Sequence, residues 1–293
     1  MNVFVTGATG YIGSAICQLL QQRGHTVTGL TRGPGKAAAL REKGYRAIVG
    51  EVDDADLIYA GCKRNDAVIH CAMEFIPSAG LIDSTAVRHM IDANRGTLKP
   101  LVYTSGVWVF GDTKGRTVGE ASALHTPEFV LWRPAVEEMV VNAKEVGISG
   151  VVLRPGMVFG RGGGVLARMF RQARAERVIR IAGHGGNHWS TIHIDDLAEL
   201  YLHAITRPAA GEVFIATGGM PHRVERIAAE VASRCGPGVK VVNTPVGLAV
   251  TQMGPVAGCL AMDQKVASTK AARFFGWAVR HPSILEHIRT AEY

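Results

Sequence analysis

Short apolar runs alternate with amphipathic stretches through the first half of the chain. Runs at 2–6, 26–31, 46–50, 66–71, 100–104 and 148–153 have the length of strands. The stretches between them, near 12–24, 35–43, 54–61, 79–93 and 127–146, carry apolar residues at helical spacing. Strands that alternate with helices in this way build βαβ units and a parallel sheet with helices on both faces. Ala67-Val68-Ile69 and Val151-Val152-Leu153 are apolar at every position, as strands buried on both faces are. The pattern predicts an α/β fold with a Rossmann-type, doubly wound parallel sheet.

After Arg154-Pro155 the regularity fades, and glycine clusters appear at 160–164, 183–186 and 218–219. This change predicts a nucleotide-binding domain over residues 1–155 and a smaller C-terminal lobe over 156–293, with the stretch 189–206 returning to the first domain. The helix at 127–146 is expected to start with Thr126 as N-cap and Pro127 in its first turn. Phe129, Trp132, Val136, Met139, Val140 and Ala143 would form its buried stripe, and Pro134 would kink it.

Composition narrows the class. The chain has 293 residues, 47% hydrophobic and only 19% charged, enough apolar material for a large core and too little charge for a disordered chain. Five scattered cysteines without metal-ligand spacing predict reduced thiols. The apolar stretch 247–262 is interrupted by Gly254, Pro255 and Gly258, too broken to span a bilayer. Together with a chain that opens directly on a strand, this predicts a soluble cytoplasmic protein with no membrane partner. The net charge is +7, and six arginines from Arg161 to Arg180 face Glu176 alone, a local excess of five. That run predicts one positive face at the cleft entrance, suited to an anionic cofactor or substrate, or simply solvated. No nucleic-acid module is legible, so no nucleic-acid partner is expected.

The first strand runs into Gly7-Ala8-Thr9-Gly10-Tyr11-Ile12-Gly13 and then a helix. Gly7 permits the tight turn, Gly10 lets backbone N–H groups approach a pyrophosphate, and Gly13 lets the helix pack close to the sheet. Thr9, Tyr11 and Ile12 complete this expected dinucleotide cradle. The second strand ends in Leu30-Thr31-Arg32-Gly33, with no carboxylate at the position that would bind a ribose 2′-OH. Arg32 can hold a 2′-phosphate instead, which favours NADP(H) over NAD(H).

These segments, with Gly50-Glu51-Val52-Asp53, Ile69-His70-Cys71-Ala72, Val102-Tyr103-Thr104-Ser105-Gly106, the run Leu153 to Gly160 and Ile192-His193-Ile194-Asp195-Asp196, resemble the extended short-chain dehydrogenase/reductases over residues 2–215. The resemblance is to the epimerase/dehydratase-like branch, including its atypical members. It implies that Glu51 reaches the adenine amino group and that Val52 contacts adenine through its backbone. It also implies that Ala72 and Pro155 flank the ribose and nicotinamide, and that the His-x-Asp-Asp stretch orders the next helix. A homodimer through the helices near 79–93 and 127–146 is the habit of the family.

The resembled family works with a Ser or Thr, a Tyr and a Lys four residues later. Alignment on Val109-Phe110-Gly111 and on Glu137 puts Gly106, Phe129 and Arg133 at these positions. All three are replaced, and Phe129 cannot donate a proton. Thr104, on the same strand face as Gly106, and Arg133 are the candidate catalytic residues and would also contact cofactor. His125 is a further proton source, since imidazole titrates near neutrality. Tyr59-Ala60-Gly61-Cys62-Lys63 has the Tyr/Lys spacing but lies before the fourth strand, far from the expected site. The expected activity is reduction, oxidation, epimerisation or dehydration of a small organic substrate, with an anionic one among the candidates. The alternative is a cofactor-binding sensor or scaffold that has lost its chemistry. His184, His188, His193 and Asp195 lack helical metal-site spacing, and no metal is expected. Trp108, Trp132 and Trp189 could line an apolar pocket.

Overall fold

The computed structural model describes residues 1–207, 209–290 and 293. Its main sheet has seven parallel strands in the spatial order Glu212–Ala216, Ser149–Pro155, Pro100–Thr104, Ala67–His70, Asn2–Thr6, Thr26–Thr31 and Arg46–Val49. Asn2–Thr6 pairs with Thr26–Thr31 on one side and Ala67–His70 on the other, so chain order reverses between the first and fourth strands. Ligands of open α/β sheets bind beyond the carboxyl ends of strands at such a switch point.

Side chains alternate across each strand and divide into two cores. Val3, Val5, Ile69, Val102 and Leu153 face the helices Tyr11–Gln22 and Ile194–Thr206. Phe4, Val68, Leu101, Tyr103 and Val152 face the opposite layer, formed by Ala55–Lys63, Ala79–Asn94 and Arg133–Asn142. Each fully buried large apolar side chain contributes about 1.5–3 kcal/mol.

The lobes divide differently from the sequence expectation. The stretch 189–206 splits: His188–His193 pairs with Met157–Phe159 and with Gly218–Arg223 in a separate three-stranded sheet. Trp189 anchors it there, buried and donating its indole N–H to the Leu260 carbonyl. Only the following helix, Ile194–Thr206, crosses back to pack on Tyr11–Gln22. The seventh strand, Glu212–Ala216, lies well beyond residue 155 and extends the main sheet. Ala271, Phe275 and Trp277 also join the first core, so the chain from 156 onward contributes to both lobes.

The helix expected at 127–146 is broken. Glu128–Val130 and Ala143–Val146 are 3₁₀ turns flanking an α-helix confined to Arg133–Asn142. Thr126 does not cap it; its hydroxyl donates to the Val109 carbonyl at 2.9 Å. Pro134 sits in the first turn of the α-helix, where no intrahelical N–H bond is required, so it starts the helix rather than kinking it. Val136, Val140 and Ala143 keep the buried stripe, and Phe129 leaves it. Among the described residues, no helix is long and apolar enough to cross a membrane.

Candidate functional site

Gly7 has φ +72°, and a Cβ there would stand 2.6 Å from the Ala72 nitrogen. A Cβ on Gly13 would stand 2.1 Å from the Gly7 carbonyl oxygen. Both positions therefore demand glycine, one for its backbone angle and one for close approach. Gly10 is looser, with its nearest contact at 3.1 Å. It precedes the helix Tyr11–Gln22, whose start has no side-chain cap and no acidic residue in its first turn. Those N–H groups and the positive end of the helix suit an anion.

Beside this turn lies a cavity of about 290 Å³ lined by Gly7, Thr9, Gly10, Arg32, Glu51, Val52 and Ala72. Seven of the residues expected to hold cofactor thus share one cavity. Lys36, Glu74, His70 and Asp83 line it as well. Tyr11, Ile12, Gly13, Thr104, Arg133 and Pro155 do not. The Tyr11 hydroxyl instead donates to the Gly160 carbonyl at 2.7 Å, and its ring packs on Gly163 and Gly164. Burial raises its pKa, so it acts as a strap on the second lobe rather than as an acid.

Arg32 meets a carboxylate after all. Glu74, on the loop after the fourth strand, forms an ion pair with it at the cavity edge. This contact is not legible along the chain, because Glu74 follows a different strand from Arg32.

Beneath the cavity lies a buried polar network. Thr6 Oγ1 lies 2.6 Å from His70 Nδ1, and His70 Nε2 lies 2.8 Å from Asp83 Oδ1. The Tyr103 hydroxyl and the Trp132 indole N–H both donate to Asp83 Oδ2, at 2.6 and 2.9 Å. Burial raises the Asp83 pKa, but the bond and charge of His70 and the donors from Tyr103 and Trp132 outweigh it and hold the carboxyl below its ordinary value. Trp132 is thus committed to this network and Trp189 to the second-lobe core, and Trp108 lies half-buried against that same core, 6.2 Å from the Phe129 ring.

The candidate catalytic residues gather at the end of the fifth strand. Thr104 Oγ1 lies 2.6 Å from the hydroxyl of Tyr201, a fully buried tyrosine on the returning helix. Burial holds Tyr201 well above the ordinary phenol range. Arg133 is not on a solvated helix face: it is 9% exposed, and its Nη1 donates to the Thr104 carbonyl at 3.1 Å. Its buried Nε has no partner. Phe129 stacks on Phe75 with ring centroids 5.1 Å apart and lies 6.2 Å from the Trp108 ring. The sequence pattern placed Phe129 in the core; in the structure it stands half-buried on the 3₁₀ turn before the helix, outside that stripe. His125 is exposed, with its carbonyl packed on Gly111. Tyr59 stacks near His89 on an outer helix, away from the cavity.

The other constellations are held by local partners. Arg161 pairs with Asp195 at 2.5 Å and donates to Gln18 at 2.6 Å. Arg180 pairs with Glu176, and Arg177 donates to the Cys235 and Pro237 carbonyls. Arg174 donates to the Tyr293 carbonyl. Of the six arginines, Arg161 and Arg180 are thus paired with carboxylates, whereas Arg174 and Arg177 are held by carbonyls that leave their charge in place. His188 pairs with Asp263, while His193 Nδ1 accepts from the Asp195 N–H and caps the returning helix. Asp196 accepts from the Arg280 and His281 N–H groups and fixes the C-terminal stretch to that helix.

Fold and site define a two-lobed, Rossmann-type α/β protein with an anion-ready turn at the switch point and a second polar centre at the neighbouring strand end. The pattern of the NAD dependent epimerase/dehydratase family matches residues 3–216, and the chain belongs to that family. It is 28% identical over 301 residues to an uncharacterized protein of Schizosaccharomyces pombe, covering 100% of both chains. It is also 26% identical over 233 residues to a 4-hydroxy-2-methyl-3-oxo-4-farnesyl-3,4-dihydroquinoline-1-oxide ketoreductase of Stigmatella aurantiaca, covering 75% of this chain and 69% of that one. Among solved structures, the UDP-glucose 4-epimerase of Thermus thermophilus in complex with NAD matches with a TM-score of 0.82 and 20% identity, over 99% of this chain and 97% of that one.

Proposed function

We propose that the protein is an NADP(H)-dependent oxidoreductase acting on a small carbonyl or alcohol substrate. The observation that carries this reading is the turn Gly7–Gly13, in which two glycines are sterically required and the uncapped helix start opens on the cavity. Gly10 and the following N–H groups would hold the pyrophosphate, and Glu51 and Val52 the adenine. Arg32, with Lys36 beside it, would hold a 2′-phosphate. When bound, the dinucleotide supplies hydride exchange. The chain's own part is to hold the substrate oxygen and keep water out, and Thr104 and Arg133 are the polar groups at that end of the sheet. The relative named as a ketoreductase supports reduction of a ketone. No hydroxyl stands at Phe129, so the proton would come from Thr104, His125, solvent or the substrate itself.

Titration with NADPH and NADH, followed by a carbonyl screen read at the reduced-nicotinamide absorbance, tests this reading. Tighter NADPH binding and turnover of a ketone are expected. Binding without turnover of any carbonyl or sugar nucleotide would favour the sensor reading, to which the stacked Phe75–Phe129 pair also lends itself. A homodimer across Ala79–Asn94 and Arg133–Asn142 belongs to the same proposal. A shallow groove there is lined by Ile91, Met139 and Val146 between Arg88, Asp92 and Arg95.

A further inference from the structure

Gly106 is not required by the backbone. Its φ is 175°, an extended conformation open to any residue, and a Cβ there would meet only ordinary contacts, with the Pro155 oxygen at 3.8 Å and Arg133 Nη1 at 3.9 Å. The missing side chain leaves room directly against a guanidinium that is nine-tenths buried and has an unpartnered Nε. Four residues before Arg133, on the 3₁₀ turn that precedes its helix, Phe129 stacks on Phe75 and meets the Trp108 ring at a tilt, and Phe75 is 59% exposed. An exposed, stacked aromatic ring leaves apolar area for a ligand to cover.

From this juxtaposition we propose a substrate subsite for a planar, apolar carbonyl compound. The ring system lies on the Phe75–Phe129–Trp108 surface, and its carbonyl oxygen enters the room beside Gly106 and accepts from Arg133. Three replacements that separately look like losses of the family's catalytic groups are coupled here. Glycine at 106 makes the space, arginine at 133 supplies a fixed cationic donor, and phenylalanine at 129 supplies the stacking face. A sugar nucleotide fits this surface poorly, because hydroxyl-rich rings would lose hydration against three aromatics with one donor group to compensate. Arg133 polarises the carbonyl by a charge-assisted bond, which is stronger than a neutral one. This proposal rests on the oxidoreductase reading for its biological purpose but not for its test, which needs no cofactor.

The test is binding of 2-acetylnaphthalene, a planar ketone, and of naphthalene, the same ring without the oxygen. It is read by quenching of tryptophan fluorescence and by calorimetry. The wild-type protein should bind the ketone tighter than the hydrocarbon. Arg133→Met should weaken the ketone about tenfold, the worth of a bond to a charged group, and leave naphthalene unchanged. Phe129→Ala should weaken both ligands about three- to tenfold. Gly106→Leu, which fills the room for the oxygen, should lower the ketone to the affinity of naphthalene, whereas Gly106→Ala, which meets only ordinary contacts, should leave naphthalene binding unchanged. Urea unfolding curves and circular dichroism of each variant establish that it is folded. Equal affinity for ketone and hydrocarbon, or unchanged ketone binding in Arg133→Met and Gly106→Leu, overturns the proposal. Tight ketone binding by a protein that does not bind NADPH would instead sink the oxidoreductase reading and leave the subsite standing.

Discussion

Replacing Arg32 with alanine should separate the two nicotinamide cofactors. In the structure Arg32 sits at the cavity edge, half-exposed and paired with Glu74. A bond between a guanidinium and a phosphate is worth about 1.5–3 kcal/mol. An exposed ion pair that must be broken first is worth about 0–1 kcal/mol. The net is roughly 0.5–3 kcal/mol, or about 2- to 140-fold in affinity at about 1.4 kcal/mol per decade. Arg32→Ala should therefore weaken NADPH by that factor and change NADH by less than about threefold. Glu74→Gln should act in the opposite direction, raising NADPH affinity up to about fivefold by releasing Arg32. Lys36, on the same cavity wall, should leave residual selectivity in Arg32→Ala that Lys36→Ala then removes. Calorimetric titration of both cofactors at two salt concentrations measures all of this, and the NADPH advantage should shrink as salt rises. An equal loss for NADPH and NADH in Arg32→Ala would refute the assignment, since only one of them carries the 2′-phosphate.

Other predictions concern the frame of the site. Gly13→Ala places a methyl 2.1 Å from the Gly7 carbonyl, so it should cost about 1–3 kcal/mol in urea unfolding and abolish dinucleotide binding, whereas Gly10→Ala should be milder in stability. Arg154 and Glu137 form a buried two-pronged ion pair, with Nη2 to Oε2 at 2.5 Å and Nε to Oε1 at 3.0 Å. Glu137→Gln should cost about 3–5 kcal/mol, and the double change to methionine should recover much of it, both read by urea unfolding. His193 stacks on His281 at 4.1 Å and faces His287, Asp195 and Asp196; burial, then the neighbouring His281, lower its pKa from 6.5 to about 4. Because the unfolded chain takes up this proton before the folded one does, stability should fall as pH drops from about 6.5 toward 4, by about 1–3 kcal/mol. His193→Gln should flatten that slope, and an unchanged slope would remove His193 as its cause.

Much of the first lobe was legible from its two periods. Strands at 2–6, 26–31 and 100–104 fall where the apolar runs ended, because alternating residues fill two cores and bounding turns stop them. The seventh strand was missed because it pairs with Ser149–Pro155 across some sixty residues of intervening chain, and its run Val213-Phe214-Ile215 sits amid the irregular elements of the other lobe. The helix around Pro134 was misread because proline can mark either a kink or a first turn. The distinction depends on where the preceding 3₁₀ turn ends, and the sequence pattern does not fix that.

The candidate site divides along the same line. Its glycine turn is local, with spacing dictated by one strand, one turn and one helix, so Gly7, Thr9 and Gly10 were legible along the chain, and Arg32, Glu51, Val52 and Ala72 join them in one cavity because each follows the end of a neighbouring parallel strand. Its electrostatics are not local. Glu74 reaches Arg32 from another strand end, Tyr201 reaches Thr104 across 97 residues, and Asp83 gathers donors from His70, Tyr103 and Trp132. Such pairs arise because parallel strands bring their carboxyl ends to one edge whatever their separation in sequence. The same geometry explains why Gly106, Phe129 and Arg133 read as three independent losses along the chain. Gly106 lies two residues past the end of the strand Pro100–Thr104, and Arg133 opens a helix whose packing against that strand carries the guanidinium to the Thr104 carbonyl. Only when that edge is assembled does the space at one position lie against the charge at another, and a catalytic set that is absent by type becomes a different set defined by contact.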